Sequence, residues 1–239
     1  VLFRSEFELF DLPFVFDNYE ELHRVTQGAV GQHLLSKLDS KGIKGLGFWD
    51  NGFKSFSANT PIKTPADLKG KKLRIQSSKV LEEEVRSLGA IPQVMAFSEV
   101  YQALQTGVVD GTENPISNFY TQKMYEVQKH LSLTNHGYLG YAVIVNKKFW
   151  DGLPADIRAM LEEAMRESTK YANHIAAKEN MDDLAKVKAS GKTTVYEPTA
   201  AERQAFKKAL VPVHTKMTDR IGADLLKAVY KETGFNSAN

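Results

Sequence analysis

The sequence predicts an α/β fold in which helices cover a parallel-rich sheet. Short apolar strands alternate with amphipathic helices from residue 43 to 145, the pattern of a sheet built through helical crossovers. A helical stretch from 154 to about 189 would be about 50 Å long, so it either bridges two lobes or breaks. The chain has 239 residues, enough for two modest lobes.

The elements follow in chain order. Residues 6–16 are apolar around Pro13 and read as a loop or short extended piece. Asn18 or Asp17 caps a helix from 19 to 40 that buries Leu22, Val25, Val30, Leu34, Leu35 and Leu38 and stops at Gly42. A short buried strand covers 43–49, and "NGFKSFSANTPI" reads as a loop with room for a short strand. Thr64 and Pro65 open one helical turn, ended by Gly70. "KKLRIQ" is a strand. The next helix carries Leu81, Val85 and Leu88 on one face.

"IPQVM" is a further strand. A helix capped by Ser98 then buries Val100, Tyr101 and Leu104 and ends at Gly107. "VVDGTENP" turns into "NFYTQKMYEVQ", another helix, and "HLSLTNHGYLGYAVIVNKKFW" holds two strands. In the long helix Ile157, Met160, Leu161, Ala164, Met165, Ser168, Tyr171, Ala172 and Ile175 recur at three-four spacing. "TTVYEPT" is a strand, and two amphipathic helices close the chain.

Composition excludes several functions. A net charge of +2 with scattered lysines does not point to nucleic acid or an anionic membrane. The absence of cysteine removes disulfides, thiolate zinc sites and thiol nucleophiles. It fits a reducing compartment or a periplasmic protein without disulfides. No run approaches the ~18–20 apolar residues of a membrane span. There is no G-x-S-x-G elbow, Walker loop or H-E-x-x-H motif. The histidines form no ligand pair and read as surface or capped side chains, and Glu82, Glu83 and Glu84 read as a solvated helix face. No metal site and no cofactor is expected.

What remains is a set of polar residues at strand ends, where open α/β sheets bind ligands. Arg74 closes a short core strand between Leu73 and Ile75, before Gln76, Ser77 and Ser78. Lys54 follows the strand 43–49, and Asn114 and Asn118 follow the helix that ends at Gly107. One guanidinium, one ammonium, two amides and hydroxyls suit a small anion, and Arg74 offers a planar fork for a carboxylate. Plainer readings exist for each. Arg74 can pair with a structural acid, Lys54 can be a surface lysine, Asn114 before Pro115 can be a turn residue, and Phe97 can be core.

These residues also carry a resemblance. "KGKKLRIQSSKVLEEEVRSLGAIPQVMAFSEVYQALQTGVVDGTENP", "QKMYEVQKHLSLTNHGYLGY" and "FWDGLPADIR" resemble the solute-binding proteins of TRAP (tripartite ATP-independent periplasmic) transporters. The likeness runs from about residue 6 to 190 and weakens toward the C-terminus. "NGFKSFSANTPI" and "RIQSS" resemble the C4-dicarboxylate branch, the DctP-like receptors. The sialic-acid branch usually has arginine in place of Lys54 and Pro-Asn in place of Gln76 and Ser77.

The resemblance implies a two-lobed periplasmic binding protein fold with a long helix spanning both lobes. Residues 1–51 and 140–179 form lobe I; residues 52–139 and 180–239 form lobe II with the C-terminal helices. Family members normally begin with a strand-helix-strand-helix unit before "FELFDLPFVF". The chain is therefore read as N-terminally truncated, with an incomplete first lobe and no signal peptide present. Val1 to Ser5 are read as translated sequencing adapter rather than native chain.

The implied function is a periplasmic receptor, monomeric and not an enzyme, that does not bind nucleic acid. It traps a small organic acid, a C4-dicarboxylate, and delivers it to a TRAP permease of small and large membrane subunits. By the resemblance Arg74 clamps the ligand carboxylate, Asn114 lies beside it, Phe97 walls the cleft, and Lys54 and Ser77 are ligand-side. A receptor for another carboxylic acid and a sensor module of the same fold are the alternatives. An enzyme would need a paired acid and base, which the sequence does not offer.

Overall fold

The structure, a computed structural model, describes residues 5–236. The adapter reading of Val1 to Ser5 lies outside the described residues except at Ser5. Ser5–Asp11 forms a 3-10 helix rather than a loop, and Phe14 follows it in the left-handed region with φ 56°.

The single helix expected over 19–40 is two, α1 (Tyr19–Gln27) and α2 (Ala29–Ser36). Asn18 caps α1 by accepting from the Glu21 amide at 2.9 Å. The break falls at Gly28, where a Cβ would sit 2.3 Å from the Arg24 carbonyl oxygen, so any other residue would clash with the preceding turn.

The central feature is a pair of long strands. β1 covers Ile43–Ala58. Expected as a short strand and a loop, it is continuous. Lys72–Ile75 is β2, Lys79–Ser87 is α3 and Ile91–Val94 is β3. Val100–Gln105 is α4, Gly111–Pro115 is β4 and Ile116–Thr121 is α5. Ser98 lies in a 3-10 turn ahead of α4 and caps nothing. The helix expected from 118 to 128 ends at α5, and Lys123, at φ 56°, separates it from a 3-10 turn.

β5 runs through His130–Asn146 as one strand where two were expected. Lys147–Asp151 is α6, Ala155–Ser190 is α7 and Thr194–Tyr196 is β6. The chain closes with α8 (Ala200–Leu210), α9 (Pro212–Lys216), α10 (Thr218–Ile221) and α11 (Ala223–Thr233). Four helices thus replace the expected two.

The strand order is β3-β2-β4-β1-β5-β6. β2 pairs parallel with β3 and β4, and β5 with β6. The long ladder between β1 and β5 is antiparallel, as is β1 with β4. The sheet is therefore mixed, not dominated by parallel pairing. Lys54 pairs with Gly137 while Phe56 pairs with Ser132, so β5 bulges out between them, with Asn135 left-handed at φ 44°.

Three apolar clusters flank the sheet. One joins α1 and α2 to α9–α11 through Leu22, Val25, Leu34, Val213, Leu226 and Val229. A second packs β2 and α3 under Phe206 and Leu210. A third gathers α4, α5 and Val187.

The long helix forms without a break and ends at Gly191, left-handed at φ 66°. It lies across β1. Trp49 Nε1 donates to Thr169 Oγ1 at 3.0 Å, and the Asp50 amide donates to Asn173 Oδ1 at 2.9 Å. The apolar residues near its start do not meet the sheet: Ile157, Met160, Leu161 and Tyr171 are exposed.

Candidate ligand site

β2 lies between β3 and β4, which places Arg74 opposite Gln93 and Thr112. Its side chain runs past the end of β3. Nε and Nη2 donate to the Met95 carbonyl at 3.1 and 2.8 Å. The guanidinium carbon lies 5.5 Å from the centroid of the Phe97 ring. Arg74 is buried, whereas Phe97 is 38% exposed at the mouth of this corner. Among the described residues, no carboxylate comes within 4.0 Å of the guanidinium. Burial lowers the Arg74 pKa and the charge of Glu113 opposes that shift; a guanidinium stays ionised throughout.

Asn114 lies two residues beyond Thr112 on β4 and is buried. Its Nδ2 donates to Thr112 Oγ1 at 3.2 Å, and Thr112 Oγ1 donates to the Arg74 carbonyl at 3.3 Å. Thr112 thus ties the asparagine to the strand of the arginine.

Lys54 is placed differently. It is only 1% exposed, and its Nζ lies 2.7 Å from Glu113 Oε2. Glu113 reaches it because Lys54 pairs with Pro115, two residues along β4. Asp11, Glu84 and His136 complete a buried polar cluster around the pair. Burial alone would lower the ammonium's pKa, yet Glu113, Asp11 and Glu84 outweigh it and the pKa is raised. Burial also raises Asp11 and Glu113, and raises Glu84 well above the glutamate value.

His136 stacks on Phe56 with centroids 3.8 Å apart and planes 1° from parallel. Its pKa falls well below the ordinary value, through burial and then through Lys54. His136 and His214 are therefore buried side chains, not surface ones; His214 lies 2.7 Å from the Pro13 carbonyl and 2.8 Å from Tyr230 Oη. Among the described residues no cluster of side chains could hold a metal ion.

No hydrogen bond joins Ser77 or Asn118 to the Arg74 side chain among the described residues. Ser77 is exposed and lines a cavity of about 660 Å³ walled by Phe7, Phe10, Phe48 and Tyr138. Arg74, Asn114, Phe97 and Lys54 do not line it, and its charged lining is mixed, with Lys79 and Arg220 beside Glu8, Asp11 and Glu82. Asn118 Oδ1 accepts from Asn51 Nδ2 at 3.1 Å, and the same Nδ2 donates to Tyr141 Oη at 2.6 Å. Asn180 Nδ2 donates to the Asn51 carbonyl at 2.7 Å. Asn118 therefore joins a knot that ties α5, β1, β5 and α7 together.

Three acids of the cluster were not among the expected ligand residues. Asp11 lies in the N-terminal 3-10 segment, and Glu113 stands beside Asn114 in "TENP". Glu84 corrects a second expectation. It is not on a solvated face but 1% exposed. On α3 it falls four residues from Val80 and from Leu88, on the helix face turned inward.

This architecture defines a class. It matches TRAP periplasmic solute-binding proteins, with their two-lobed binding fold. One, from Shewanella oneidensis with bound succinate, superposes at TM-score 0.93 with 41% identity over 97% of this chain and 76% of that one. Another, from Sulfurospirillum deleyianum, also with bound succinate, gives TM-score 0.90 and 47% identity over 95% of this chain and 75% of that one. The family model DctP, bacterial extracellular solute-binding protein family 7, matches residues 2–220, and the chain belongs to that family. The C4-dicarboxylate-binding periplasmic protein DctP of Rhodobacter capsulatus is 65% identical over 229 residues, 96% of this chain and 69% of that protein.

Proposed function

We propose that the chain is a periplasmic receptor for a C4-dicarboxylate and that Arg74 clamps one of its carboxylates. One observation carries the reading: a buried guanidinium held by the Met95 carbonyl and the Phe97 face, with no carboxylate of the described residues within 4.0 Å. A buried cation without a partner is costly, and a bound carboxylate removes that cost. The relatives with bound succinate support the size and charge of the ligand.

Phe97 forms the wall of the site and Asn114 an adjacent amide. Lys54 is proposed as the second cation. It acts on the ligand at range while Glu113 holds it, and by contact if Glu113 gives it up. Ser77 and Asn118 stand as ligand-side candidates that closure of the cleft would have to bring in. The lobes are proposed as residues 1–51 with 140–179 and 52–139 with 180–239. The receptor acts as a monomer, does not bind nucleic acid, and hands its ligand to the two membrane subunits of a TRAP permease.

Thermal unfolding with succinate, fumarate, malate, monocarboxylates and sialic acid tests the reading. At ~100 times Kd the dicarboxylates stabilise the fold by about 2.7 kcal/mol, a shift of several degrees. A shift with monocarboxylates alone rejects the dicarboxylate assignment.

A further inference from the structure

Lys54 has more carboxylates around it than one ammonium can match. Asp11 on the N-terminal 3-10 segment, Glu84 on α3 and Glu113 on β4 all act on it. With all three ionised and His136 neutral, this interior would carry two uncompensated negative charges, which burial forbids. A carboxyl must therefore hold a proton.

The geometry selects which. Glu113 has Lys54 at 2.7 Å, and Gln76 donates to Asp11 at 3.4 Å. Both oxygens of Glu84 are buried and receive no hydrogen bond. His136 Nε2 lies 3.3 Å from Oε1 and is likewise without a hydrogen-bond partner. Nδ1 of that ring lies 2.7 Å from Thr134 Oγ1. An ionised Glu84 would have only an Nε2–H tautomer of His136 to set against it and would leave the excess of buried negative charge in place. A neutral Glu84 donates to Nε2 and removes one of those charges with the same proton.

We propose that Glu84 is a proton-holding positioning residue: at neutral pH it is a carboxylic acid that donates to Nε2 of His136, whose Nδ1–H donates to Thr134. The functional consequence rests on the receptor reading above. With Glu84 neutral, Lys54 keeps Glu113 as its close partner, and the cluster behind Arg74 opposes an incoming dianion with one negative charge fewer. Ionisation of Glu84 adds a buried negative charge there and opposes anion binding.

The groups facing Glu84 are Lys54, Glu113, Asp11 and His136. Neighbouring charges on the surrounding elements are engaged elsewhere: Glu8 with Arg220, Glu83 with Lys216, Arg203 with Asp17, and Lys79 with Glu82. Arg74 acts on Glu113. The pH dependence follows in sign. Folding takes up a proton at Glu84, so stability is full below the ordinary glutamate pKa of about 4.3 and falls as pH rises toward the raised value. Asp11 and Glu113 are raised as well and slope the same way.

Carbon-13 NMR of the glutamate-labelled chain, read at the carboxyl carbons across pH, tests the assignment without any substitution. One glutamate carboxyl is expected to remain protonated at neutral pH, and nitrogen-15 shifts are expected to show His136 as the neutral Nδ1–H tautomer. In Glu84→Gln the protonated carboxyl disappears and the fall of melting temperature with rising pH becomes shallower. A full set of ionised glutamates, a protonated signal that persists in Glu84→Gln, or an imidazolium at His136 overturns the proposal. Titration of the unsubstituted chain with succinate is expected to weaken several-fold as the carboxyl deprotonates. If the carboxyl is protonated and succinate does not bind at any pH, the receptor reading fails and the proton assignment stands.

Discussion

Arg74 and Lys54 flank the same strand. β4 lies between β2, which carries the arginine, and β1, which carries the lysine. Both cations are buried, yet they are served differently. Lys54 has Glu113 at 2.7 Å and two further acids around it. Arg74 has a carbonyl oxygen, an aromatic face and no acid of the described residues within reach. Burial says little about which cation serves a ligand; compensation of its charge says much. The lysine corner has more than enough acid of its own to compensate its cation, and the arginine corner keeps its charge for something else.

The largest effect that separates the two corners is on stability. Lys54→Met leaves buried carboxylates facing an apolar side chain and should cost about 3–5 kcal/mol in urea unfolding. Arg74→Met should cost clearly less, since it strands only the Met95 carbonyl. Equal losses would dissolve the contrast.

On ligand binding the order reverses. Arg74→Ala should weaken succinate binding by at least ~2 kcal/mol in calorimetry. Arg74→Lys should also bind poorly, because an ammonium cannot reproduce a bidentate fork. Unchanged affinity in both would remove Arg74 from the site. The smallest expected effect belongs to Phe97→Ala, which removes the aromatic face and should weaken succinate binding by about 0.5–1 kcal/mol with little change in melting temperature.

The same contrast explains what the sequence could reveal. α7 was legible because its three-four spacing persists over many turns and Gly191 stops it. Arg74 was legible because a guanidinium between Leu73 and Ile75 at a strand end is an anomaly in any pattern of alternation. The full length of β1 was not. Lys54, Ser55 and Ser57 interrupt its apolar run, and polar residues read as loop until their partners are known. Those partners, Glu113, Asn135 and Gln128, are far along the chain. Glu84 was misread for the same reason: three consecutive glutamates look like a wet surface, and only packing shows that the third turns inward toward His136. Asn118 was legible as an amide but its partner was not: its Oδ1 accepts from Asn51, far back along the chain on β1.

The crossing of α7 over β1 has an optical consequence. The chain holds two tryptophans. Trp150 is buried within α6, just beyond β5, while Trp49 donates its indole hydrogen to Thr169 on the long helix. An indole so placed emits according to the polarity around that bond. Any shift of the helix against the strand lengthens the contact and admits solvent, so emission from Trp49 reads the seating of α7 with no label attached. In a Trp150→Phe background that fluorophore becomes a built-in gauge of whether ligand binding moves the helix.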